Sequence, residues 1–558
     1  MSVFLEHAKK QFSRMLSRGD REIYSITHGC FDRTYWCWKF TDFCGSRFQE
    51  STYSLAWMIT HPDASRAVHD HALVETFNAA VQFWTGLQHT DGSFDEAYPN
   101  ERSLAATAFT GFYVGEAYLL GQAHLTPQVK AHAKQSMERL GDWLCRNDET
   151  HGVLTNHLAA AAAALLAAQE VTGHARFGQR SDYFIQRILD HQSEEGWYEE
   201  YGGADPGYQS HALFYLARCW QKTNSKPLLE SMRRSVAFFT YMIYPNGTIG
   251  GDMASRNTEF YYPAGFEMLA PVCEDAARIA QFMRPAVERA EAVGLPMMDA
   301  YNFFPLLNNY LFAADHCDWN PRSVMAENPA PLPCEQPVHK VFEQAGILIH
   351  GTEAYHAVVG LSKGGVIRVY NRQDQALVLS HSGYLAVTEQ DKVISNQRLT
   401  LPATATHDAS GCEVESTFVR VNQRVMTPWL FMAFRIFTLT VGRSKRMAYW
   451  VKQQLVRVLI NARDASPLTM KRHIIWAPDG VKVVDQLQKT TTSSDLKAMT
   501  PCRKFAPIHM GSSRYFEPQE LTAVPLAESD TSTEKLLEEL NHQGKLTLTW
   551  QWFAEEEK

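Results

Sequence analysis

The chain has 558 residues, 53 Lys and Arg against 61 Asp and Glu, a formal net charge of −8, and 45% apolar and 12% aromatic residues. That is apolar material for two large cored domains rather than several small ones. A pI near 6.3 excludes whole-chain attraction to nucleic acid or to an anionic membrane, so an anionic ligand must be held by local basic side chains.

The opening MSVFLEHAKKQFSRML carries Glu6, Lys9, Lys10 and Arg14 and offers no apolar core of secretory-signal length. A cytoplasmic location is the expectation. The longest apolar run, Leu158–Ala168, is mostly alanine and well short of the ~20 residues that cross a bilayer. Ten cysteines are scattered, and Cys30, Cys37 and Cys44 recur every seven residues, wider than a zinc knuckle allows. They read as reduced thiols, and no metal site is expected.

From about residue 50 to 315 apolar positions fall at three and four spacing, with alanine-rich stretches and breaks at Gly, Pro and Asn, a helical pattern. Four of the breaks resemble one another: QHTDGSFDEAYPNERS, NDETHGVLTNH, SEEGWYEEYGGADPGYQSH and YPNGTIGGDMASRNTEFYYPAG. Their leading glycines, Gly92, Gly152, Gly196 and Gly247, are separated by about one two-helix hairpin with its loops. Stacked helical pairs whose elaborate loops recur at one point of the repeat put those loops on one face, the natural binding site. The helical domain is assigned to 1–317. Residues 318–340, DWNPRSVMAENPAPLPCEQPVHK, hold five prolines without apolar periodicity and read as a linker. Beyond it GILIHGTEAYHAVVGL, GGVIRVYN, ALVLSHSGYLAV, RIFTLTVG, RMAYWVKQQLVRVLI, GVKVVDQL and KLTLTWQWF read as strands of an antiparallel β-sandwich over 341–558.

Chemistry-bearing residues collect in the repeated loops. Asn156 and His157 open the alanine-rich helix; taken alone, Asn156 is an N-cap and His157 a first-turn residue. The next loop presents Tyr208 and His211 at i and i+3, the one after it Arg256, Asn257 and Tyr261, and the first of them Tyr98, Asn100, Glu101 and Arg102. Asn, His, Tyr and Arg on one face suit removal of the weakly acidic proton beside a uronate carboxylate. Asn and a protonated His neutralise the carboxylate, a Tyr or His takes the proton, and a Tyr protonates the departing glycosidic oxygen.

The Asn-His pair, Tyr208 in a Gly-Tyr-x-x-His setting, the Pro-rich link, and the QAGILIHG and KGGVIRVYN strands resemble the heparinase II/III-like and alginate-lyase-like polysaccharide lyases over roughly residues 80 to 400. The resemblance implies an N-terminal incomplete (α/α) toroid followed by a C-terminal antiparallel β-sandwich, and β-elimination on a uronate-containing acidic polysaccharide or oligosaccharide. It implies Asn156 and His157 as the neutralising or abstracting pair and Tyr208 as general acid, and as base as well. Tyr98, Asn100, Arg102, His211, Arg256, Asn257, Tyr261, Arg368, Tyr370 and Arg372 are the expected substrate contacts. The sequence departs from the family after the Gly-Gly turn, where a His-x-His-like, metal-holding segment is replaced by Arg368, Val369, Tyr370, Asn371 and Arg372; the nearest histidine is His381.

Two other readings stay open at this point. A glycoside hydrolase on a similar toroid needs carboxylates on facing loops, with Asp91, Asp95 and Glu96 in one and Glu199, Glu200 and Asp205 in another. A non-catalytic carbohydrate binder would use Tyr35, Trp36, Trp38 and Arg47 to stack on sugars and grip carboxylates; the same segment also reads as a buried aromatic plug of the ring. No phosphate loop, dinucleotide fingerprint, GxSxG elbow or HExxH helix occurs.

Overall fold

The computed structural model describes residues 2–61, 71–149, 152–421, 425–444, 447, 450, 465–489, 495–503, 515 and 533–554. Among them, the helical half alternates between two kinds of helix. α1 (Val3–Leu16), α3 (His71–Leu87), α5 (Pro127–Arg146), α7 (Ala175–Asp190), α9 (Lys226–Phe239) and α11 (Glu274–Glu288) each bury one apolar stripe. α2 (Ser51–Thr60), α4 (Leu104–Gly121), α6 (Thr155–Thr172), α8 (Pro206–Thr223), α10 (Ala264–Leu269) and α12 (Phe303–His316) are buried on nearly every side. A helix covered all round must form the inner layer, and an amphipathic one the outer. The inner layer runs round from α2 to α12, where Ser54 Oγ donates to Asn308 Oδ1 (2.5 Å) and Trp57 Nε1 to Asp315 (2.9 Å).

The loop repeat seen in the sequence is a repeat of hydrogen bonds. His89 N–H donates to the Ser93 carbonyl and Gly92 N–H to that of His89; Ser193, Trp197 and Gly196, then Tyr244, Thr248 and Gly247, repeat the pattern. Gln88 Nε2 bonds the carbonyls of Gly92 and Ser136, and Gln192 Nε2 those of Gly196 and Ser231, so each loop is clamped to the following outer helix. Glycine is required there: Gly92 has φ +100°, and a Cβ would lie 2.1 Å from the Arg139 carbonyl oxygen. Gly92→Ala is expected to lower stability by about 3 kcal/mol, combining left-handed strain with displacement of a backbone neighbour; urea unfolding of the variant beside wild type checks it.

Within the helical half, β1 (Glu199–Glu200) pairs antiparallel with β2 (Gly203–Ala204). Helix α12 ends at His316 and the first strand of the second half, β3 (Val338–Phe342), opens after short 3-10 turns at Pro321–Ser323 and Pro333–Glu335. β3, β4 (Ile347–Gly351), β5 (Tyr355–Gly360), β6 (Val366–Asn371) and β7 (Leu377–His381) form an antiparallel five-stranded sheet in that order. The second sheet has the order β14-β8-β9-β11-β12-β13-β15 with β10 on β11. Its strands are β8 (Tyr384–Thr388), β9 (Val393–Ser395), β10 (Ala405–Asp408), β11 (Gly411–Arg420), β12 (Ala465–Trp476), β13 (Gly480–Lys489), β14 (Leu496–Pro501) and β15 (Lys545–Phe553). The expected toroid followed by antiparallel sandwich is the observed architecture.

The five-stranded sheet is covered on both faces. Ala357, Val359, Ile367 and Val369 face the second sheet, while Val358, Val366 and Tyr370 pack with Trp197, Phe238, Tyr244 and Met253 of the toroid. Strand alternation therefore assigns even-numbered residues of β5 and β6 to the interface between the halves. One expected strand is a helix: the RIFTLTVG segment falls in α13 (Pro428–Leu439) and a following 3-10 turn, inserted between β11 and β12. RMAYWVKQQLVRVLI lies almost wholly outside the described residues.

Candidate active site

The N-terminal ends of α4, α6 and α8 and the loops before them surround a cleft of about 740 Å³. Asn156, His157, Tyr208, His211 and Arg256 all line it, so five of the expected catalytic and substrate-contact residues meet in one place. Arg47, Phe109, Glu149, Glu199, Tyr201, Phe260 and Tyr262 stand in the same wall.

Asn156 is not the N-cap its local sequence suggested; α6 starts at Thr155. Its backbone N–H donates to Glu200 Oε1 (2.6 Å) and its amide reaches both Glu200 oxygens (2.9 and 3.0 Å). One carboxyl on β1 (Glu199–Glu200) thus satisfies an orphan donor of the helix start and fixes the Asn156 side chain. Burial pushes the Glu200 carboxyl up to about 8, against the hydrogen bonds from Asn156. His157 Nδ1 lies 2.9 Å from Glu149 Oε2. With the proton held on Nδ1 by that carboxylate, Nε2 is left as the acceptor.

Asp205 caps α8 by accepting the Tyr208 N–H (3.1 Å), and it also accepts the Arg256 N–H (2.9 Å) and the Thr258 hydroxyl. The cap ties the Tyr208 and Arg256 loops together. The Tyr208 ring stands edge-on to Phe260 (5.4 Å between centroids), and among the described residues its hydroxyl has no hydrogen-bond partner. Burial pushes that hydroxyl up to about 12, with the Arg256 guanidinium pulling it back. At neutral pH it is a proton donor. The Arg256 guanidinium lies over the Tyr201 ring (4.4 Å). His211 is sandwiched between Phe109 (5.5 Å) and Tyr262 (4.2 Å) with Nε2 on the Tyr215 hydroxyl (3.0 Å), and burial holds it well below the ordinary histidine value. It is neutral, and it shapes the wall. Arg47 pairs with Glu50 (2.8 Å) and Glu96 (3.1 Å) over the Phe109 face (4.6 Å).

Eight expected contacts are corrected. Tyr98, Asn100 and Arg102 leave the cleft because Asp95 accepts the N–H groups of Asn100 (2.7 Å) and Arg102 (2.8 Å), both at positive φ, and turns the loop outward. Their side chains meet the sandwich insertion instead: Tyr98 packs on Phe434, Asn100 Nδ2 donates to the Thr438 carbonyl, and Arg102 to that of Arg443. Tyr261 points into the toroid core, stacked on Phe266, and its neighbour Tyr262 takes the cleft position. Asn257 turns to the sandwich and accepts from Lys363 Nζ (2.9 Å). Arg368 and Tyr370 follow the strand alternation into the interface, Arg368 pairing with Asp252 (3.1 Å) and Glu259 (2.9 Å), Tyr370 stacking on Tyr244. Arg372 binds the carbonyls of Tyr355, Cys334 and Gln336.

The carboxylates of the hydrolase reading are mostly occupied with structure. Asp91 pairs with Arg102, Asp95 binds the loop and His89, Glu96 pairs with Arg47, Glu200 holds Asn156, and Asp205 caps α8. The aromatic segment is no plug: Trp38 is exposed, and of this stretch only Phe43 and Arg47 reach the cleft. Among the described residues no group of three His, Cys, Asp or Glu is placed to hold a metal ion. His381 is committed to Asp485 (3.1 Å) inside the sandwich, so the residues present do not fit the metal segment of the resembled family.

Residues 34–265 match the family model described as the ulvan lyase N-terminal domain. The chain is similar in fold to the Paenibacillus xanthan lyase, at 10% identity and a TM-score of 0.50, covering 89% of this chain and 46% of that one. It is likewise similar to the Streptomyces coelicolor A3 chondroitin AC lyase solved with chondroitin sulphate, at 10% identity and a TM-score of 0.56, covering 89% of this chain and 67% of that one. The chain thus spans about half the length of the xanthan lyase. No curated protein matches it. The resemblance to polysaccharide lyases read from the sequence is borne out by the family match and the fold.

Proposed function

We propose that the chain is a polysaccharide lyase that cleaves a uronate-containing acidic polysaccharide or oligosaccharide by β-elimination. The observation that carries the reading is the junction of three groups in one cleft: Asn156 fixed by Glu200, His157 oriented by Glu149, and the unbonded hydroxyl of Tyr208. The match to the ulvan lyase N-terminal domain and the fold shared with xanthan and chondroitin AC lyases support the substrate class.

The uronate carboxylate docks against the Asn156 amide and the Arg256 guanidinium, which take up the charge that grows as the neighbouring carbon loses its proton. His157 Nε2 accepts that proton. The electron pair of the broken C–H bond forms the new double bond, the bond to the glycosidic oxygen breaks, and Tyr208 donates its proton to the departing oxygen. No water enters, so the new non-reducing end is an unsaturated uronate.

Ultraviolet absorbance of the conjugated product, followed beside reducing ends on a panel of ulvan, xanthan, chondroitin and alginate, tests this. Absorbance and reducing ends rising together is the expected result. Reducing ends without absorbance would return the hydrolase reading to the front. His157→Ala is expected to lower the absorbance rate by about 10²-fold or more, the usual contribution of a positioned base.

A further inference from the structure

Helix α13 does not bury its apolar side chains. One side is fastened to the toroid: Phe434 meets Tyr98, Arg435 pairs with Asp42 (2.8 Å), and the Thr438 carbonyl accepts from Asn100. The other side presents Trp429, Met432, Ile436 and Leu439 to solvent, at three and four spacing along one face, with Trp429 77% and Ile436 60% exposed. Phe40, two residues before Asp42, is exposed as well. The surrounding sequence is one-sided in charge. Between residues 424 and 463 there are eight Lys and Arg and no Asp or Glu, in a chain whose acidic residues outnumber the basic.

We propose that this face of α13, set in a stretch of basic sequence, seats the protein on a bilayer surface rich in anionic phospholipid, lying in the interface rather than crossing it. An apolar helix face carrying Trp, in a stretch whose sequence has Lys and Arg and no Asp or Glu, matches both components of such a surface, acyl chains and negative headgroups. A second copy of the chain would set two positive segments against each other. An acidic polysaccharide would satisfy the charge but leave Trp429, Met432 and Ile436 in water. The fastening to the toroid loop holds the apolar face outward in the folded protein, so docking needs no unfolding.

Co-sedimentation of the full chain with phosphatidylcholine vesicles, with and without phosphatidylglycerol, tests the proposal. Binding to the phosphatidylglycerol vesicles, weaker on phosphatidylcholine alone and reversed by salt, is expected. Paired Trp429→Ser and Ile436→Ser should lower the partition coefficient about tenfold or more at unchanged lyase activity, and Arg443→Glu should lower it on the anionic vesicles only. Failure of wild type to bind anionic vesicles overturns the proposal, as does binding that neither variant weakens. Concentration-dependent dimerisation in sedimentation velocity that the paired serine variant abolishes would assign the face to a second copy instead.

Discussion

Replacing Tyr208 with Phe is expected to lower kcat and kcat/KM together by about 10²–10⁴-fold, the range a positioned general acid contributes, while KM and the unfolding curve hardly move. One oxygen is removed, and nothing in the fold depends on it. The helix cap runs from Asp205 to the Tyr208 backbone N–H, and the ring keeps its edge-on contact with Phe260. A group acting only as the bond to the leaving oxygen forms and breaks should show equal losses in both constants, whereas a substrate-binding hydroxyl would raise KM alone. Because burial keeps the hydroxyl protonated up to about 12, no alkaline limb of the wild-type profile should trace to its loss of a proton within the ordinary assay range. Retention of more than about a fifth of the wild-type rate would remove Tyr208 from the role that a general acid fills.

The two fully buried histidines of the sandwich, His356 and His381, are expected to remove about 4 kcal/mol of stability between pH 7.5 and 5. The buried carboxyls of Glu50, raised to about 7, and Glu200, raised to about 8, act in the opposite sense over the same window, because the folded state takes up their protons before the unfolded chain does. Burial lowers His356 to about 3, with Arg372 and His350 adding repulsion, and lowers His381 to about 4, with Arg472 adding to it. In the unfolded chain both take up protons near the ordinary value of 6.5. As pH falls below that value the unfolded state binds protons that the folded state refuses, so stability is lost from about 6.5 downward until the folded values are reached. Asp485 behaves otherwise. Arg472, bonded through Nε (2.6 Å) and Nη2 (2.7 Å), holds its carboxylate well below the usual range despite burial, so its contribution persists until pH drops below the ordinary Asp value. Urea midpoints across this range check the slope. His356, whose ring nitrogens have no partner among the described residues, isolates one of these contributions: His356→Leu should remove about 2 kcal/mol of loss between pH 7.5 and 5 relative to wild type and leave stability at pH 7.5 undiminished, since it removes an unpaired buried polar group. An unchanged slope would mean that His356 protonates without unfolding.

Much of the site was legible because its residues sit at helix starts within a repeat. Asn156, His157, Tyr208, His211 and Arg256 occupy the same point of successive units, and equal position in a ring means a shared face. The residues that failed did so for local reasons that spacing does not carry. Tyr98, Asn100 and Arg102 belong to the right loop but are turned over by the Asp95 carboxylate, and Tyr261 lost its place to Tyr262 by one residue of register. Arg368 and Tyr370 were expected to read substrate because they stand where the resembled family carries its His-x-His-like segment; the sheet is covered on both sides, and both side chains are taken up at the domain interface. Glu149 and Glu200 had no motif of their own. Their signal was only that each stands in the loop next to a residue needing orientation. The α13 insertion misled because its apolar residues, exposed on a helix, carry the same composition as a strand.

The inner helix that bears Asn156 and His157 is walled almost entirely by methyl groups: Ala159 to Ala164 are all fully covered, and Gly115 of α4 approaches it so closely that a Cβ there would lie 2.8 Å from that of Ala167. Helices meeting through methyls leave only glycine as a smaller side chain, so the alanine wall keeps α4 and α8 close to α6. Phe109 rides on the first of these neighbours, Tyr208 and His211 on the second. The span across which acid and base must face one another is therefore set by methyl-sized side chains, and any larger residue in that wall can only widen it. A Val or Leu in the alanine run would spread the two catalytic helix ends and give a slower enzyme with a wider mouth, whereas no substitution there except to glycine could bring them closer.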